Sequence, residues 1–305
     1  MRTFKNIIKC NNVSAMSSGG LELLTIKIQQ MTIESTNDNN NTNPAITYSE
    51  CYQQCFCSDN LDLMKTIESN TIDLIYCDIL YGTGKDFMDY KDLYPMREII
   101  ENHYLPRLKE MHRLLKNTGS IYLQMDYRIV HWVRCLMDDL FGYGNFRNEI
   151  IWHYRTMKND TKSFKEKHDN ILFYSKSNDY IFNSDDVRIE HTEATKKRYK
   201  RAKSGFTQGE LKDKGKIPND VWDDCYLVNN QFTRESVGYA TQKPKVLIER
   251  IIKASSNEGD LVADFYLGSG TTAEVCKDLN RNFIGCDINP RAVEITLKRL
   301  NDARS

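Results

Sequence analysis

The chain has 305 residues, with 42 cationic and 42 anionic side chains and a formal net charge of zero. That length fits one large α/β domain with insertions or two modest domains, and balanced charge by itself says nothing for or against nucleic acid. No run of about 20 apolar residues is present, so a membrane span is not expected; Arg2, Lys5 and Lys9 lead into no apolar core or cleavage-like site, so neither is a secretory signal.

The nine cysteines form an odd set without framework spacing, which favours reduced thiols in the cytoplasm or another reducing intracellular compartment. Cys51, Cys55 and Cys57 cluster, but no nearby His or Cys pair completes a zinc set, and no metal is expected.

Residues 1–47 read as a low-complexity extension. Its tract Asn37-Asp38-Asn39-Asn40-Asn41-Thr42-Asn43 is too polar to bury a core, and the extension is expected to be disordered. Order begins near residue 48. A helix is expected from Leu61 to Ile67, with Leu61, Met64 and Ile67 on one side. Ile72-Asp73-Leu74-Ile75-Tyr76-Cys77 is a short apolar strand ending at Asp78. A helix from Met96 to Leu115 follows, closed by Asn117-Thr118-Gly119, then strand Ser120 to Gln124 and helix Ile129 to Phe141. Strands are expected at Ile150 to Tyr154 and Asn170 to Tyr174. Residues 183–240 are polar and poorly periodic and read as a loop-rich insert. A helix with proline near its start covers Pro244 to Ile252. Strand Leu261 to Phe265, helix Thr271 to Leu279, strand Asn282 to Ile288 and helix Arg291 to Leu300 complete the chain.

Strands alternating with helices imply a doubly wound, mostly parallel α/β sheet. Ligands of such sheets sit beyond the carboxyl ends of the strands, and two polar segments fall there. The first is Asp264-Phe265-Tyr266-Leu267-Gly268-Ser269-Gly270-Thr271-Thr272. It has Ala273 where a dinucleotide fingerprint has its third glycine, and no lysine follows as in a phosphate loop. Asp287, ending the next strand, is placed to accept ribose hydroxyl protons. A nucleoside carrying a sulfonium rather than a phosphate fits this set, as does a plain strand-turn-helix glycine pair. The second segment is Asp78-Ile79-Leu80-Tyr81. Its carboxylate and the Ile79 carbonyl are suited to hold an exocyclic amine while Tyr81 stacks on the base; a strand-end turn with Tyr81 in the core is equally compatible. Lys196, Lys197, Arg198, Lys200, Arg201 and Lys203 pack around Tyr199 as either a solvated helix face or a phosphate-binding face.

Together these segments resemble the β-class amino-group DNA methyltransferases of restriction–modification systems, from about Tyr52 to Leu300. Asp264–Thr272 is similar to the family's D-P-F-x-G-S-G-T-T, and Thr241-Gln242-Lys243-Pro244 to its T-Q-K-P beside the cofactor. Asn145–Trp152 and His168–Lys176 resemble further family blocks. The catalytic loop precedes the cofactor loop, a circular permutation in which strand Tyr52 to Cys57 follows helix Arg291 to Leu300 in space. By this resemblance Asp59 and Asn60 lie at the cofactor's adenine, and S-adenosyl-L-methionine is the cofactor. The insert 183–240, including Phe206, becomes the target-recognition region, and double-stranded DNA the partner. The resemblance also leaves room for a homodimer and a cognate restriction endonuclease. It implies base flipping and direct in-line transfer to the N6 of adenine, since Asp rather than Ser leads the catalytic motif. Cytosine N4 is the alternative. A catalytically impaired DNA-binding relative is the other, because the family's D-P-P-Y is here Asp78-Ile79-Leu80-Tyr81 and proline's fixed φ is missing.

Overall fold

The computed structural model describes residues 22–33, 46–87, 91–154, 162–201, 214–228, 235–239 and 241–301. The Asn-rich tract 37–43, Lys203 and Phe206 lie outside the described residues. The strands are β1 (Glu22–Ile33), β2 (Ile46–Cys57), β3 (Ile72–Asp78), β4 (Leu115–Met125), β5 (Phe146–His153), β6 (His168–Ser175), β7 (Val221–Trp222), β8 (Leu261–Asp264) and β9 (Asn282–Asp287). The helices are α1 (Asn60–Thr66), α2 (Arg97–Leu114), α3 (Val130–Phe141), α4 (Glu193–Arg201), α5 (Lys245–Ser255), α6 (Thr271–Asp278) and α7 (Pro290–Asn301).

All nine strands form one sheet in the order β1-β2-β9-β8-β3-β4-β6-β5-β7. The centre, β2-β9-β8-β3-β4, is parallel. Such strands are covered on both faces, which is why β3 carries the unbroken apolar run Leu74-Ile75-Tyr76-Cys77, with Leu74, Ile75 and Cys77 fully buried. One face packs against α1, α2 and α3 and the other against α5, α6 and α7. The expected mostly parallel, doubly wound sheet is therefore present, with antiparallel pairs at β1–β2, β4–β6 and β6–β5.

The permutation is visible in the register. β2 comes early in the chain yet lies parallel to β9, with Cys57 opposite Asp287, and α7 packs against β2. β1 falls inside the stretch read as a disordered extension and pairs along its whole length with β2. The insert also holds more regular structure than its polarity suggested: it supplies α4 and the short edge strand β7. Buried Trp222 anchors β7, with the Arg250 guanidinium of α5 4.8 Å from its ring and bonded bidentately to Asp224 at 2.9 and 2.6 Å. Among the described residues no helix is long and apolar enough to cross a membrane.

Candidate active site

β3 and β8 are neighbours and end on the same side of the sheet, so Asp78 and the Asp264–Thr272 segment line one cleft. Asp78, Thr241, Lys243, Asp264, Gly268, Ser269, Thr271 and Thr272 line it, with Tyr76, Tyr239 and Tyr266. Residues nearly 190 positions apart in sequence thus share one wall.

On the β8 side, the glycine loop is shaped by backbone demands. Gly270 has φ +74°, and a Cβ there would come within 2.3 Å of Thr296 Oγ1 on α7. Only glycine meets both conditions. Asp264 is buried and accepts from the Thr272 hydroxyl at 2.6 Å and the Tyr266 N–H at 3.0 Å. Burial raises its carboxyl to about 7, against the pull of those two donors. Asp287 accepts from the Gly268 N–H at 2.9 Å, so the acid at the end of β9 is tied to the loop. Exposed Ile288 follows it.

Several expected ligand residues also tie neighbouring elements together. Asp59 caps α1 through the Leu61 N–H at 2.8 Å and pairs with Arg107 at 3.0 Å. The Asn60 amide donates to the Phe265 carbonyl at 3.1 Å and accepts from Arg107 at 2.7 Å, joining α1 to the β8 loop. Gln242 accepts from the Val237 N–H and donates to the Glu235 carbonyl, closing the turn before α5. Thr241 holds φ +60° in that turn, a cost borne by few non-glycine residues.

On the β3 side, Asp78 stands at the centre of a polar cluster. Tyr81 shares its hydroxyl proton between Asp78 Oδ1 at 2.8 Å and Asp169 Oδ2 at 2.6 Å. Lys243 Nζ forms an ion pair with the other Asp78 oxygen, while the Lys243 carbonyl accepts from Thr271 at 3.1 Å. Lys243 therefore bridges the two halves of the cleft. Burial pushes the Asp78 carboxyl above its ordinary value, and Lys243 pulls it back.

Asp169, at the start of β6, was read only as part of a family block. It is 3 % exposed and accepts from Tyr81, from Gln124 Nε2 at 2.8 Å and from the Tyr154 hydroxyl at 2.8 Å. The signal available in sequence was a carboxylate opening an otherwise apolar strand.

The catalytic-loop set, Asp78, Ile79 and Tyr81, and the cofactor-loop set from Asp264 to Thr272 are thus adjacent. The cationic helix is elsewhere, on α4. Lys196 pairs with Glu193 at 3.0 Å, Lys197 and Arg198 are exposed, and nothing is described of the Lys200 and Arg201 side chains.

The pocket suits a cationic nucleoside. Two carboxylates, Asp78 and Asp264, line it, its glycine turn brings backbone close, and the cation among its described lining residues, Lys243, is paired with Asp78. The sequence profile of a DNA methylase family matches residues 72–298. The chain is 34 % identical over 251 residues to the type II methyltransferase M.HpaI of Haemophilus parainfluenzae, covering 82 % of this chain and 74 % of that one. It is 30 % identical over 252 residues to the DNA adenine methyltransferase YhdJ of Escherichia coli K12, covering 80 % and 81 %. In fold it is similar to the cytosine-N4-specific PvuII DNA methyltransferase, with a TM-score of 0.60 at 15 % identity over 82 % of this chain and 88 % of that one. Other solved neighbours are complexes with S-adenosylmethionine.

Proposed function

The chain belongs to the DNA methylases that use S-adenosyl-L-methionine to methylate an exocyclic nitrogen of adenine or cytosine, and from that premise we propose that its target is the N6 of adenine in duplex DNA, with Asp78, Ile79 and Tyr81 as the catalytic group. The observation that carries this is the meeting of Asp78 and the Gly268–Gly270 loop in one cleft, with Lys243 reaching across it. Asp rather than a hydroxyl residue at the head of the motif supports adenine, as does the adenine activity in the name of the 30 %-identical relative.

Asp264, Asp287 and the glycine loop would hold the cofactor, which would supply an electrophilic methyl group. By the family resemblance Asp59, Asn60 and Phe265 would also contact the cofactor, as would Gln242, while Thr241 and Lys243 line the cleft itself. Asp78 and the Ile79 carbonyl accept the two amine hydrogens of a flipped base, which frees the nitrogen lone pair from conjugation with the ring. Tyr81 stacks on that ring. For an amine to reach Asp78, the Lys243 ammonium must yield its carboxylate oxygen. Burial raises the Asp78 carboxyl, and the same ammonium opposes that effect and favours the form that accepts hydrogen bonds. Orientation supplies much of the rate. Asp78 is also placed to take the proton that the methylated nitrogen sheds.

The insert 183–240 serves target recognition, with Lys196, Lys197, Arg198, Lys200, Arg201 and Lys203 on backbone phosphates. Contacts of that kind position without specifying. Duplexes carrying isotope-labelled methyl after incubation with labelled cofactor, digested to nucleosides, distinguish the readings. N6-methyladenine is expected, N4-methylcytosine would move the target to cytosine, and DNA binding without transfer would leave a binding protein.

A further inference from the structure

No proline occurs between Asp78 and Tyr94, yet the backbone after Asp78 is held at almost every step. The Ile79 N–H donates to the Gln124 carbonyl at 3.0 Å. The Leu80 carbonyl accepts from the hydroxyl of Tyr104, a residue of α2 that is 1 % exposed, at 2.8 Å. The Gly82 and Thr83 N–H groups donate to the two carboxylate oxygens of Asp92 at 3.0 and 2.8 Å. The Thr83 hydroxyl adds a bond at 2.6 Å, and the Leu93 N–H another at 2.8 Å.

Asp92 reaches this position because the chain doubles back. The Gly84 N–H donates to the Leu93 carbonyl at 2.8 Å, and the Asp92 N–H to the Lys85 carbonyl at 3.0 Å. Gly82 sits at φ +66°, where a Cβ would come within 2.7 Å of Ile129 Cγ2, so the turn is packed from outside as well. Asp92 is 5 % exposed, and no cation pairs with it among the described residues. Burying a carboxylate is costly unless donors compensate it. Here four donors converge on it, and two are the backbone of the catalytic loop itself.

We propose that Asp92 and Tyr104 are positioning residues for the transfer reaction. They supply the restraint on the Asp78–Tyr81 backbone that a proline pair would supply through fixed φ. The Ile79 carbonyl lies between the two anchored groups, the Ile79 N–H and the Leu80 carbonyl. Gln124 holds the first and Tyr104 the second, and Asp92 fixes the chain just beyond Tyr81 at Gly82 and Thr83. The aim of the Ile79 carbonyl at the amine therefore depends on Tyr104 from one side and on Asp92 through the turn that follows. Neither Asp92 nor Tyr104 touches the base. This inference rests on the transferase reading given above.

The test uses the full chain and single-turnover methyl transfer, cofactor affinity by calorimetry, and thermal melting. Tyr104→Phe removes one hydroxyl, and Asp92→Asn turns one of the two acceptor atoms into a donor. Each should slow transfer about 10- to 100-fold, as small misplacements of reacting groups do, and leave cofactor affinity within about twofold. Leu80→Pro should then speed the Asp92→Asn enzyme by a larger factor than it changes the otherwise unaltered chain, because it restores what Asp92 supplied. Transfer rates within about twofold of the unaltered chain would overturn the proposal. So would cofactor affinity falling in step with rate, or one proline factor in both backgrounds. Should Asp92→Asn fail to fold, Tyr104→Phe decides by the same rate and affinity criteria. If the unaltered chain transfers no methyl, the transferase reading itself falls, and this inference with it.

Discussion

Arg299 is the place where the cofactor loop is most exposed to a single substitution. It lies on α7, 8 % exposed, and its guanidinium serves three groups at once. Nε donates to Glu274 Oε2 at 2.8 Å and Nη2 to the same oxygen. Nη1 donates to the Ser269 carbonyl at 2.7 Å and to Thr271 Oγ1 at 3.1 Å. Arg299→Met keeps much of the volume and removes all four bonds. It leaves Glu274, 3 % exposed, with Lys245 at 3.4 Å still facing it. Removing one partner of a buried pair costs about 3–5 kcal/mol, and the remaining lysine argues for the lower end, about 3 kcal/mol. For 305 residues, at about 2.1 cal/mol/K of unfolding entropy per residue, that corresponds to a fall in Tm of about 5 °C. Scanning calorimetry measures it, and titration calorimetry should show weakened cofactor binding, because the Ser269 carbonyl is no longer held. Adding Glu274→Gln removes the stranded charge, so the double variant should melt above the single one. A Tm within about 2 °C of the unaltered chain, with unchanged cofactor affinity, would refute this account of the loop.

Two further outcomes are expected. Asp264, raised to about 7 from 3.8 by burial, binds its proton more tightly folded than unfolded, so it stabilises the unliganded fold as pH falls from 7 towards 4. A cationic cofactor favours the ionised carboxylate, hence its affinity should weaken as pH drops below about 7; Asp264→Asn should flatten that dependence, and a flat profile in the unaltered chain would contradict the assignment. Asp169→Asn places a donor against the hydroxyls of Tyr81 and Tyr154. Transfer should slow about tenfold with cofactor affinity kept, and a single-turnover rate equal to that of the unaltered chain would remove Asp169 from the positioning of Tyr81.

The core of the sheet was legible because its strands are buried on both faces. Ile72 to Cys77 and Leu261 to Phe265 read as strands from composition alone, and the polar residues at their ends marked the cleft. Strand direction was not legible: the apolar run of β6 is the same whether it lies parallel or antiparallel to β4. β1 was missed although Leu24, Ile26 and Ile28 alternate with Thr25, Lys27 and Gln29, a period-two signal overshadowed by the Asn-rich tract beyond it. In the site, residue types marked Asp78 and Asp264 but not their partners. Asp92, Tyr104 and Asp169 act through contacts spanning 9 to 88 positions, and no local pattern announces such contacts. Lys243 stood out only through its family motif, and its ion pair with Asp78, 165 residues away, needed the fold.

The most direct test is sequencing of DNA from methylation-free cells that make either the unaltered chain or Asp78→Ala, read for N6-methyladenine and N4-methylcytosine, alongside cofactor titration of both purified proteins. N6-methyladenine at one recognition sequence, lost in Asp78→Ala while cofactor affinity persists, is the result expected. Unmodified DNA from the unaltered chain, or undiminished methylation by Asp78→Ala, would contradict the assignment of Asp78 and its loop as the catalytic group.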